Sequence, residues 1–207
     1  MKGNRIILGI EFSALRNYLD HAFEESGREI EDVFARNEAG EYPGIDDLDN
    51  ALFYPMRRQE LASRTIYYEI NALVESELQS AAREAWVESD KFPGPKTLDW
   101  RNITPESIRS LRQVADVSVG KLIQLINEKY GIKVEELQGF EVLREVQEAV
   151  NAFKHTRSYL DIRRMEFANL TFPQYNRAEI EKAYEIMDHA CAFITSLWDA
   201  AAKKYFI

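Results

Sequence analysis

The sequence predicts an all-α protein, a single domain over residues 1–207 built as a bundle of about five long antiparallel helices. Three observations carry this expectation. Apolar residues recur at three-and-four spacing through most of the chain, period-two alternation is confined to residues 5–10, and two segments open on helix-start signals, Thr104-Pro105 and Asn176 with Glu179.

The first predicted helix covers about residues 9–34, where Phe12, Leu15, Leu19, Phe23, Ile30 and Val33 form the apolar stripe and Arg16, Asp20, Glu24 and Arg28 fall between them. Gly40 to Gly44 has turn composition, and residues 45–54 read as a short helix ended by Pro55. Residues 57–89 contain neither Gly nor Pro and carry Leu61, Ile66, Ile70, Leu73, Val74, Leu78, Ala81, Ala82 and Ala85 at helical spacing, which predicts the longest helix. Residues 90–102 hold Pro93-Gly94-Pro95 and have no period, so they read as a loop pinned by Phe92 and Trp100. Thr104 caps a helix expected to continue to Tyr130 and stop at Gly131, with Ile108, Leu111, Val114, Val117, Leu122, Ile123 and Ile126 as its apolar stripe. A fourth long helix, about 134–156, places Val142, Val146, Ala149, Val150 and Phe153 on one face. After an aromatic stretch broken by Pro173, a last helix from Asn176 towards Lys203 buries Ile180, Tyr184, Met187, Cys191, Ile194 and Trp198.

Composition narrows the function classes. Hydrophobic residues make up 45% of the 207, and charged ones 29%, which excludes disorder as a global description. The net charge of -9 repels polyanions, so contact with RNA requires a local basic patch. Cys191 is the single thiol, so no intrachain disulfide forms, and a reducing cytoplasmic compartment is expected. The apolar run before Glu11 is too short for a signal core or a membrane span, and a soluble protein is expected.

Most site templates fail on spacing. The nine glycines form neither a P-loop nor a dinucleotide fingerprint, and no cofactor is expected. His21, His155 and His189 are too scattered for a zinc site, and the residues three before them, Tyr18, Ala152 and Ile186, are not the glutamates of a di-iron bundle. Glu185 and His189, four apart, read as a surface pair. One helix differs: Arg144, Glu148, Asn151 and His155 follow one another by four, three and four residues, a polar stripe opposite the apolar one. Lys154, Arg157, Arg163 and Arg164 then gather with only Asp161 intervening, a patch suited to phosphate. The stripe reads either as a solvated face or as a site in which His155 handles a proton or a phosphate.

The run Val150-Asn151-Ala152-Phe153-Lys154-His155, on a long helix with Phe140 near its start, resembles the signature of HEPN domains. The resemblance implies an all-α module that dimerises, of a family rich in ribonucleases of toxin-antitoxin and antiviral defence systems. It implies His155 as general acid or base and Asn151 as the residue orienting it or the phosphate. Where some members carry tyrosine this chain has Arg157, and Arg157, or Arg163 and Arg164, is expected to bind phosphate in its own right, with Lys154 beside it. Val150 stands where active members carry arginine, so the guanidinium that clamps phosphate and stabilises a developing oxyanion is missing. The resemblance therefore implies RNA-linked function with reduced or absent metal-independent cleavage, and a homodimer. A second reading is a structural or partner-binding helical homodimer, and a third, which the resemblance also implies, is a small-molecule or nucleotide-binding module, for which the sequence offers no phosphate loop.

Overall fold

A computed structural model describes residues 2–96, 101, 103–156 and 180–203. The fold is all-α; among the described residues there are six α-helices and no strand. They are α1 (Lys2–Glu38), α2 (Ile45–Val87), α3 (Pro105–Ala115), α4 (Val119–Tyr130), α5 (Phe140–Thr156) and α6 (Ile180–Lys203), with a 3-10 turn over Val134–Glu136. They fall into two compact units, one of Met1–Ile70 with Arg144–Asp188 and one of Asn71–Leu143 with His189–Ile207.

In the first unit, α1 runs through the segment 5–10, so the alternation there is fortuitous. The helix closes with a Schellman motif: Glu41 N–H donates to the Arg36 carbonyl at 3.1 Å and Gly40 N–H to that of Asn37 at 2.9 Å. Gly40 has φ 83°, a left-handed conformation that is strained for a residue with a Cβ. Leu19 and Val33 of α1 meet a core built from Ala62, Ile66, Tyr67 and Ile70 of α2, Val146, Ala149 and Val150 of α5, and Ala183, Ile186 and Met187 of α6. Arg58 reaches back from α2 to Glu29 of α1 at 2.8 Å.

Pro55 does not end a helix. α2 runs through it as one element of 43 residues, and the ring is buried. An internal proline costs about 3 kcal/mol through a lost hydrogen bond and a clash with the preceding turn; burial of the ring and of Ala62, Ile66 and Ile70 further along α2 offsets it, while Ile45, Phe53 and Tyr54 before it stay exposed.

In the second unit the expected helix 105–130 is two helices. Thr104 Oγ1 accepts from Ser107 N–H at 3.1 Å, as its position before Pro105 implies, but α3 ends at Ala115. Ser118 then caps α4, accepting from Lys121 N–H at 3.4 Å. The break falls in Asp116-Val117-Ser118-Val119-Gly120, where no residue is a strong helix former. α4 stops at Gly131 as expected.

The buried side of α3 is also different from the expected stripe. Ser107, Ser110 and Val114 are buried, whereas Ile108 is 49% exposed. The Trp86 indole donates to Ser110 Oγ at 3.0 Å, so small hydroxyl residues give α3 its contact with α2. Val74, Leu78 and Ala81 of α2, Leu122 and Ile126 of α4, Val134, and Phe193, Ile194 and Leu197 of α6 fill the core. The Tyr130 hydroxyl donates to the Ala81 carbonyl at 3.3 Å, and Trp198 Nε1 donates to Glu77 at 2.6 Å. The expected helix 134–156 begins instead with the 3-10 turn, and α5 starts at Phe140 after Gly139. Gly139 has φ 82°, and a Cβ there would lie 2.3 Å from the His189 carbonyl oxygen, so the turn into α5 needs a residue without a side chain. Phe92 is buried in the loop after α2, while Trp100 lies outside the described residues. Cys191, expected in the core, is half-buried.

Candidate functional site

The candidate site lies on α5, and its helical period sorts apolar from polar side chains, with Leu143 inward where Val142 is expected. Leu143, Val146, Ala149 and Val150 are buried, Val142 is half-buried, and Arg144, Glu148 and Asn151 are exposed. Phe140 starts the helix with its ring 6.0 Å from that of Phe193, centroid to centroid. Further along, Glu145 forms an ion pair with Lys182 of α6.

Val150 and Asn151 are consecutive yet point to opposite environments: Val150 is 2% exposed and Asn151 is open to solvent. Position 150 is therefore a core position. A guanidinium there would have to leave water without a described partner, a cost of several kcal/mol. His155 follows Asn151 on α5 by four residues, a rise of about 6 Å. The backbone thus places Asn151 and His155 one turn apart; the His155 side chain lies outside the described residues, as do Arg157, Arg163, Arg164 and the Phe153 side chain.

Of the four basic residues expected to bind phosphate, Lys154 is described. Its ammonium lies 5.9 Å from the centroid of the Tyr68 ring on α2. That cation-π contact, worth about 0.5–1 kcal/mol at an exposed site, orients the lysine without neutralising it, so its charge remains available to an anion.

A second polar cluster has no counterpart in the sequence reading. The Tyr184 hydroxyl of α6 donates to the Asp20 carboxylate of α1, Arg16 pairs with Asp188, and the Arg16 guanidinium lies 5.6 Å from the Tyr184 ring centroid. Arg16 and Asp20 are one turn apart, as are Tyr184 and Asp188, so two i,i+4 pairs interlock. Partial burial, followed by the Asp20 hydrogen bond and charge, pushes the Tyr184 phenol up to about 12. A phenol held protonated in this way ties two helices together and is poorly suited to act as a base near neutral pH. His189 is different again: its Nδ1 is enclosed and finds no hydrogen-bond partner among the described residues.

Among the described residues no group of three or more His, Cys, Asp or Glu side chains could hold a metal ion, and no helix is long and apolar enough to cross a membrane. What the fold and site define is a class: an all-α chain with a polar helix face beside a buried valine. No family model matches this chain, and no curated protein or solved structure does so either.

Proposed function

We propose that this chain is a HEPN-like helical module of the cytoplasm that binds RNA in a defence-linked or toxin-antitoxin-linked setting, pairs with a second copy of itself, and does not cleave RNA by the metal-independent route. The observation that carries the reading is the burial of Val150 beside exposed Asn151. Cleavage without a metal needs a cation on the phosphate as charge develops. The α5 position that supplies it in the resembling family is apolar and inward here. Asn151, Lys154 and His155 follow one another on α5, and Arg157, Arg163 and Arg164 follow them in sequence, a basic stretch of a chain whose net charge is -9. Such a stretch fits phosphate contact better than catalysis.

The test is incubation of the purified chain with a mixed RNA pool in chelator, beside His155→Ala, together with RNA binding across a salt series. The expected result is no cleavage and binding that weakens steeply as salt rises. Metal-independent cleavage lost in His155→Ala would overturn the non-catalytic reading and make Arg157, Arg163 or Arg164 the substitute clamp. Absence of both cleavage and binding would favour the second reading.

That second reading is a structural or partner-binding helical homodimer. It is favoured by one observation: of the eleven large hydrophobic residues left exposed among those described, ten lie between Ile7 and Leu61, including Ile10, Phe53, Tyr54 and Met56. Apolar surface concentrated in one stretch of chain is the usual mark of an interaction face.

A further inference from the structure

A cavity of about 290 Å³ opens in the second unit between α2 and α3. Its wall includes Ile103, Ile108, Leu111 and Val114, and Arg83 and Arg112 border it. Two facts set it apart from an ordinary surface dent. First, α3 spends its buried side on Ser107 and Ser110, and leaves Ile108, the residue its apolar stripe would bury, 49% exposed at the cavity. The helix thus presents an apolar wall that the described residues leave partly uncovered, an arrangement whose free energy falls when an apolar group takes the space. Second, Arg112 lies one turn from Ile108 on the same face, is exposed, and makes no side-chain hydrogen bond or ion pair among the described residues. Arg83, held by Ser80 at 3.3 Å, adds a second positive charge at the border.

We infer that this cavity is a binding site for a medium-chain aliphatic carboxylate, its hydrocarbon against Ile103, Ile108 and Leu111 and its carboxylate on Arg112. The apolar wall requires a chain, and the free guanidinium requires an anion that it can hold by paired hydrogen bonds. Volume sets the length: at about 30 Å³ for each water-sized group, the cavity takes on the order of ten heavy atoms, the size of an eight-carbon acid. The site is independent of the RNA-binding proposal, since α5 contributes nothing to it.

The experiment is calorimetric titration of the full chain with octanoate, with octan-1-ol and butyrate as controls. Octanoate is expected to bind saturably at sub-millimolar concentration, with octanol and butyrate each at least about tenfold weaker. Arg112→Gln is expected to weaken octanoate about tenfold while leaving octanol unchanged, and Ile108→Asp to abolish octanoate binding. Both positions are exposed, so each variant is expected to fold, which circular dichroism is to check alongside the titration. Absence of saturable octanoate binding, equal binding of octanoate and octanol, or undiminished binding in Arg112→Gln would each overturn the assignment.

Discussion

The Tyr184 hydroxyl donates to the Asp20 carboxylate across 164 positions of sequence, and the same ring carries the Arg16 guanidinium at 5.6 Å. One phenol therefore fixes the register between α1 and α6 by a hydrogen bond at its tip and a cation at its face. Tyr184→Phe keeps the ring and removes the donor, and is expected to lower stability by about 1 kcal/mol in urea unfolding. The phenol is pushed up to about 12 from the ordinary value of about 10, so the bond's contribution is intact below the ordinary value and is lost as pH rises through the raised one. The stability gap between wild type and Tyr184→Phe should accordingly be constant near neutral pH and close in strong alkali. A gap independent of pH would mean that the hydroxyl does not hold Asp20.

Gly139→Ala is expected to be far more damaging than an exposed alanine substitution. The new methyl would sit 2.3 Å from the His189 carbonyl oxygen, at φ 82°. Overpacking costs about 1–3 kcal/mol and left-handed strain about 1–2 more. Thermal melting should show a loss of several degrees; an unchanged midpoint would place α6 further from this turn.

Val150→Arg and Asn151→Ala test the α5 face as a pair. The first buries a charge and is expected to cost about 3 kcal/mol or more, and the second, on the exposed side, less than about 0.5 kcal/mol. Comparable losses in the two would reverse the face.

Thr104→Ala removes the side-chain acceptor for Ser107 N–H and is expected to cost about 1 kcal/mol, whereas Thr104→Ser should be close to neutral. Equal loss in both variants would show that the methyl group matters more than the cap.

Much of the fold was legible because its signals are local. The threonine before Pro105, the glycine at 131 and the apolar stripe of α5 each act over one or two turns, and each does what its spacing implies. The break between α3 and α4 lay in weak local preference, but two other failures came from tertiary context outweighing a local preference. Pro55 is a helix breaker in isolation but is carried inside α2, and Ser110 is a surface residue by composition but is the partner that Trp86 selects. Of the candidate site, the opposed placement of Val150 and Asn151 followed from helical period alone. The pairing of Asp20 with Tyr184 had no such signal, since neither residue's neighbours encode the other.

The two units have a consequence for the order of events during synthesis. Neither is a single stretch of chain, and α6 supplies Ala183, Ile186 and Met187 to one core and Phe193, Ile194 and Leu197 to the other. A ribosome adds about 5–20 residues per second, so α1 and the first half of α2 wait on the order of ten seconds before the last helix emerges. A premature stop codon anywhere before α6 deprives both cores at once, and a nascent chain arrested there holds its apolar faces open to chaperones.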